Sequence, residues 1–386
     1  MTARIAPLTL AALLSIACGD NLAPLGADAG GSGSQADAGP GPDAAILEAT
    51  AFAVATDFVA TGVASTIAVP ELDVAVNAVE GVASSDPVLR RAGDRLYIVN
   101  RLGHDNVTVL DSATLELVAQ ISTGSGSNPQ DVAAVGDTLY VAALNSPGVL
   151  VLDLSRPEAG VVDTIDLSAL DPEDGLPNCN SIVAAGSAVV AVCGILTQDG
   201  IPVPRGPGAV AIIERGALVE TVALTQVNPF GLAQAAAASG EPAVLVPTVQ
   251  DFFNPAAGGC LEQVVLGKGG ARGTGCVVEN AELGGFVSAL APAPDRLWMT
   301  VTTSFDPKDF GPHGDLVSLD PGGSPETVEL GDDVRPMDIA VCPTGHLIVS
   351  DATRGVRVLT PAAAGELTSA PLNIGLPPVA NGLTCY

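Results

Sequence analysis

The stretch Asn128-Pro129-Gln130-Asp131-Val132-Ala133-Ala134-Val135-Gly136-Asp137-Thr138-Leu139-Tyr140-Val141-Ala142, continuing to Val149-Leu150-Val151-Leu152-Asp153, decides the fold. Pro129 and Asp131 mark a polar turn. An apolar run follows, then a Gly-Asp turn, a second run rich in Leu, Tyr and Val, and a third that ends in Leu-Asp. Short runs of β-branched and aromatic residues bounded by Gly, Pro, Asn and Asp read as strands. The 3.6-residue period of a helix is missing.

The pattern recurs. Asp86-Pro87 leads through Gly93-Asp94 to Val107-Thr108-Val109-Leu110-Asp111. Arg335-Pro336-Met337-Asp338 leads to Val356-Arg357-Val358-Leu359-Thr360. Looser copies start at Asn180, at Asn228-Pro229 and near Phe286. Four short strands repeated at this spacing are the signature of propeller blades. Six copies lie between residues 85 and 375. Residues 376–386 supply one more strand, and stretches at 51–56, 65–69 and 73–77 supply three. The expected fold is all-β: a seven-bladed β-propeller over residues 46–386, closed by a blade that the two chain ends share. Such closure removes open sheet edges. A six-bladed ring is the rival architecture.

The Asn-Pro-x-Asp start, the Gly-Asp-x-Leu-Tyr-Val hairpin and the Val-x-Val-Leu-Asp third strand resemble the YVTN or lactonase-like β-propellers. The resemblance covers about residues 50–386. It implies the fold and no single function, because this fold carries binding, scaffolding and several chemistries.

Composition agrees. Aromatic residues make up 3% and charged residues 15%, against 44 Gly and 30 Pro, a mix suited to many short strands joined by turns. The net charge of −28 repels phosphate backbones and argues against nucleic acid as a partner.

The N-terminus reads as a targeting segment. Arg4 precedes an apolar run, Ile5 to Ala17, too short to span a bilayer. It ends in Ser15-Ile16-Ala17-Cys18, which resembles the lipobox of bacterial lipoproteins, with Ser15 where the consensus has Leu. Residues 1–17 are then a signal peptide and Cys18 the acylated residue. Residues 18–45, rich in Gly, Ala, Asp and Pro, form a flexible spacer. An ordinary secretory signal is the other reading. The expected location is the bacterial outer membrane or periplasm, with membrane contact only through the anchor.

Of seven cysteines, six remain if Cys18 carries lipid, and an even number in an exported chain reads as disulfides. Cys179 and Cys193 lie symmetrically about Gly186 in one predicted hairpin, where antiparallel pairing sets them opposite each other. Cys260 and Cys276 flank a Gly-rich turn, slightly out of register. Cys342 and Cys385 hold equivalent places in neighbouring first strands, as a bridge locking the ring or as two buried thiols.

Blade geometry puts the turn into each first strand and the connection from second to third strand on one side of the disc, its loop face. The three longest such connections, near 195–208, 247–259 and 303–314, belong to consecutive blades, and long loops on a rigid scaffold are where binding usually resides. Asp86, Asn128, Asp131, Asn180, Asn228, Arg335, Asp338 and Asn381 are candidates to line the channel mouth as a net acidic pocket for a cation or a polyhydroxyl ligand. Asp131 and Asp338 can equally cap turns by accepting backbone N–H bonds, and both readings stay open. Asp306, Asp309, His313 and Asp315 offer oxygens and one imidazole, which suit a divalent cation such as Ca2+ or form a solvated acidic loop. Phe252, Phe253, Phe305 and Phe310 sit in the same loops.

No nucleophile elbow, zincin helix, P-loop or haem-attachment motif occurs. The three histidines, His104, His313 and His346, fall in different blades. The leading expectation is therefore a lipid-anchored, non-enzymatic propeller binding an envelope protein, a polysaccharide or a small polar ligand. The alternative is a divalent-metal-dependent, lactonase-like hydrolase using the channel acids. A structural part of a larger envelope assembly is the third.

Overall fold

The computed structural model describes residues 48–386 apart from 198–202, 239, 307–310, 331–333, 353–354 and 364. Cys18, the signal and spacer segments through residue 45, Asp309 and Phe310 lie outside the described residues.

Seven antiparallel sheets form the blades of one propeller. Blade 1 spans residues 87–122, blade 2 129–166, blade 3 179–227, blade 4 234–279, blade 5 286–328 and blade 6 336–359. Blade 7 pairs an innermost strand, Pro378–Cys385, with Ala49–Thr56, Gly62–Val69 and Val74–Val79. The seven-bladed expectation, with one strand from the C-terminus and three from the N-terminus, holds.

Each blade packs both faces against neighbours, so its inner strands are buried on both sides. Asn106–Asp111 accordingly buries its four central residues, whereas the outermost strand Leu117–Ser122 alternates toward solvent. An apolar cluster fills every gap between blades. Phe52, Leu89 and Ile98 join blades 7 and 1, and Val183, Val210 and Val244 join blades 3 and 4. Each such side chain, fully buried, contributes roughly 1.5–3 kcal/mol.

Blade 6 departs from the four-strand pattern. Its sheet has three strands, and isolated bridges Val356↔Leu372 and Leu359↔Glu366 stand where a fourth would run. Pro361 and Pro371 in this segment lack the N–H a ladder needs.

Ring closure rests on backbone pairing and a covalent bond. Thr50 N–H donates to Tyr386 O at 2.7 Å, and Tyr386 N–H to Thr50 O at 2.9 Å. A disulfide joins Cys342 of blade 6 to Cys385 of the closing strand. The other two bonds are Cys179–Cys193 and Cys260–Cys276. Cys179 pairs directly with Cys193, while Glu262, two residues past Cys260, faces Cys276. Every innermost strand starts at the loop face. Ala49–Thr56 runs antiparallel to Pro378–Cys385, so it starts at the opposite side, the turn face, and residue 48 leaves the disc there.

Candidate functional site

One backbone hydrogen bond recurs at the loop face. In five blades a residue just past the second strand donates to the carbonyl of the residue that opens the blade: Arg101 to Asp86, Leu144 to Asn128, Gly194 to Asn178 and Val249 to Asn228, each at 3.1 Å, and Ala352 to Arg335 at 2.9 Å. Asn128, Asn178 and Asn228 share a left-handed backbone, φ 50, 54 and 48°, which Asn tolerates better than most residues. Blade 3 therefore opens at Asn178 rather than Asn180. Asn180 holds the x place of the Asn-Pro-x-Asp motif, in register with Gln130, Phe230 and Met337.

These x residues decide the chemistry of the channel mouth. Gln130, Asn180 and Phe230, with Arg101, Asn228 and Leu232, border an open recess of about 440 Å³, counting the solvent at its mouth. Arg101 donates to Asp86 at 2.6 Å and to Gln130 at 3.0 Å. Burial pushes the Asp86 carboxyl up, and the Arg101 charge pulls it back. Gln130 donates in turn to the Asn128 side-chain oxygen at 2.9 Å. Asn180 donates to Pro229 O at 3.1 Å, while its own Oδ1 is enclosed without a partner. Asp86 and Asn128 thus stand behind the recess, whereas Asn180 and Asn228 face it. Leu232 shares one apolar cluster with Val132, Ala289 and Ile339.

The other half of the mouth is apolar. The Phe230 ring lies 4.7 Å from Phe252 and 5.6 Å from Phe286, and Phe286 lies 6.3 Å from Phe305. Met337 and Ala380 complete this cluster. Phe253 stands out from it, 72% exposed.

Deeper in the ring, polar side chains bind blades to one another. Arg90 of blade 1 grips Asp131 of blade 2 with two bonds of 2.7 Å, both side chains fully buried. Asp131 also accepts from Ser181 Oγ at 3.1 Å and Ile182 N–H at 2.7 Å. Asp338 of blade 6 accepts from Ile339, Gly382 and Leu383 N–H groups at 2.8–2.9 Å. Desolvation pushes its carboxyl up to about 7, against the pull of those bonds and of the Arg90 charge. These acids hold protein donors in the way turn caps do. Asn381 is buried, with neither side-chain amide atom hydrogen-bonded.

The candidate cation residues are spread out. Asp306 Oδ2 lies 4.0 Å from His313 Nε2 and 3.7 Å from the Arg335 guanidinium, and Asp315 points to solvent. Among the described residues one trio, Cys260, Cys276 and Glu279, brings three potential ligand atoms within 4.8 Å. Its two sulfurs are joined as a disulfide, so neither is a thiolate.

Arg101, Gln130, Asn178 and Phe230 are recess residues that sequence reasoning passed over. The signal was positional: Gln130 and Phe230 fill the variable place of the motif, and Arg101 directly follows a second strand.

The chain is a seven-bladed β-propeller. No protein-family profile and no curated protein matches it. Similar solved structures include Citrobacter koseri AztD, at 13% identity and TM-score 0.51, covering 88% of this chain and 98% of that one. Dihydro-heme d1 dehydrogenase NirN in complex with DHE aligns at 13% and 0.53, covering 91% and 77%. Virginiamycin B lyase from Staphylococcus aureus aligns at 10% and 0.50, covering 75% and 85%. At such identities the likeness carries the fold alone.

Proposed function

We propose that this chain is an exported binding propeller of the YVTN or lactonase-like kind, anchored through lipid on Cys18 at the outer membrane, that takes its ligand or partner at the loop face. The observation that carries the reading is the recess between blades 1 and 4, set beside the aromatic cluster. Loop-face connections also expose Phe58, Val59, Leu102 and Val203 besides Phe253. Such apolar tips cost solvation and are typical of contact surfaces. Glu48, the first described residue, lies at the turn face, so a lipid attached upstream of it leaves the loop face free to point away from the membrane. Three disulfides fit an oxidising compartment. No described helix is long and apolar enough to cross a membrane.

The test places a photoreactive residue at Phe253 on the loop face and, separately, at Val135 beside a turn-face hairpin, in cells that make the full chain. Discrete adducts from position 253 and none from 135 are expected. The reverse pattern would overturn the reading. Replacement Cys18→Ser should abolish palmitate labelling and release the protein from the membrane fraction.

A further inference from the structure

Resting on the loop face as the binding side, we infer that one protein docks there, broad enough to cover the channel mouth, seated on two rigid apolar tips at opposite sides of the ring and carrying a basic side chain beside each seat. Both tips are second-to-third-strand connections built on an Asp-Phe pair: Asp57-Phe58-Val59 in blade 7 and Asp251-Phe252-Phe253 in blade 4.

The blade 7 tip is fixed by its own backbone. Asp57 Oδ1 accepts from the N–H groups of Val59, Ala60 and Thr61 at 2.8–2.9 Å. Asp57 N–H donates to Thr61 O at 3.1 Å, and Thr56 Oγ1 donates to Ser85 O at 2.6 Å. Phe58 is thereby held at φ 56°, a left-handed backbone that a bulky residue adopts only where its surroundings impose it. The same backbone bonds draw the Asp57 carboxyl down to about 2, so it stays charged. Phe58 is left 45% and Val59 82% exposed. In blade 4, Phe253 N–H donates to Asp251 Oδ1 at 2.9 Å and Ala257 N–H to Asn254 O at 2.8 Å. The Phe252 ring packs on Phe230 while Phe253 stays outside. Ordering a loop on binding costs free energy, and the fold has ordered both tips beforehand.

Neighbouring blades follow chain order around the ring, so two blades separate the tips on one side and three on the other. Each tip follows a second strand and so stands roughly 5 Å or more outside the innermost strand, with the channel mouth between them. A small ligand at one tip does not reach the other, whereas a protein surface covers both. Each tip also keeps a carboxylate oxygen, Asp57 Oδ2 and Asp251 Oδ2, without a hydrogen bond or ion pair among the described residues. An arginine or lysine beside each apolar seat matches that pattern. An anionic lipid surface does not, since it would meet both carboxylates on a chain of net charge −28.

The experiment places photoreactive residues at Val59 and Phe253 together, in cells that make the full chain, and sequences the cross-linked peptides. Both sites should attach to one and the same polypeptide, at segments that contain lysine or arginine. Yield should fall roughly tenfold in the double variant Asp57→Asn, Asp251→Asn, which keeps each cap and removes its charge. Melting temperatures confirm that this variant folds. Different polypeptides at the two sites, or a yield that the variant leaves unchanged, would overturn the spanning basic partner and leave the loop face as the binding side. No adduct at either site would overturn both together. The Cys18→Ser chain is also mixed with vesicles of phosphatidylethanolamine and phosphatidylglycerol in equal parts, and should stay in the supernatant. Sedimentation that Phe253→Ser abolishes would overturn a protein partner in favour of a lipid surface.

Discussion

The two faces of the disc are built by opposite rules. At the turn face, the first hairpins of blades 1, 2 and 3 reverse in two residues with glycine first: Gly93-Asp94, Gly136-Asp137 and Gly186-Ser187, whose glycines have φ 59, 60 and 63°. That hairpin matches the twist of its strands and leaves nothing to vary. At the loop face the reversals lengthen. The one in blade 4, between Glu241–Pro247 and Cys260–Gly267, carries the cluster residue Phe252 and the exposed Phe253. One face is spent on closing strands and joining the ends of the chain. The other holds the recess, the aromatic cluster and most of the exposed apolar side chains that do not belong to outer strands. The ring between them carries the buried charges that both faces depend on.

The largest expected effect strikes that shared ring. Asp131→Asn leaves the Arg90 guanidinium buried without its carboxylate and should cost about 3–5 kcal/mol. Chemical denaturation should show this loss equally in calcium and in EDTA. A loss confined to calcium would instead make Asp131 a cation ligand.

The disulfides separate the faces next. Cys342–Cys385 closes a loop of sequence separation 43 at the turn face and Cys179–Cys193 one of 14 at the loop face, so chain entropy gives about 4 and 3 kcal/mol. Replacing the first pair with alanines should lower the melting temperature and leave ligand affinity intact. Replacing the second should lower it less and weaken binding. Equal effects on binding would erase the distinction between the faces.

A smaller effect is read as pH dependence. Asp338 keeps its proton in the folded chain up to about 7, while the unfolded chain releases it near the ordinary carboxylate value. The folded state therefore holds the extra proton between those limits. This contribution to stability is complete below the ordinary value, shrinks as pH rises, and is gone above about 7. Asp338→Asn, which cannot ionise, should gain on the parent in melting temperature from pH 5 to pH 8. A constant difference between the two would show that Asp338 does not titrate there.

The smallest stability effect belongs to Phe253→Ser, expected within about 0.5 kcal/mol because the side chain is exposed. Loop-face adducts from a photoreactive residue at Leu102 should nevertheless fall. Unchanged adducts would remove Phe253 from the contact surface.

Much of this was legible in the chain. The Gly-Asp turns and the alternation in Val107–Leu110 are local signals, and they predict blade, strand order and closing strand. The three cysteine pairs follow once strands are in register. The fourth strand of blade 6 was overcalled because Pro361 and Pro371 interrupt a run that is otherwise apolar enough. Two parts of the site were hidden. Asn180 was mistaken for the blade opener, since only the left-handed backbone of Asn178 identifies that place. The fates of Asp131 and Asp338 were left open, as caps or as ligands, because one motif serves either role.

By itself, then, the sequence determined the repeat and pointed to a shared closing blade, since period and turn chemistry act between near neighbours, while the choice of seven blades over six waited for the structure. Only the tertiary structure decided which side chains meet across the ring. Arg90 reaches Asp131 from one blade away, Asp338 caps the closing strand, and the x residues divide the mouth into a polar recess and an aromatic cluster. Those outcomes depend on burial and on partners distant in the chain, where desolvation makes pairing obligatory and no local pattern records it.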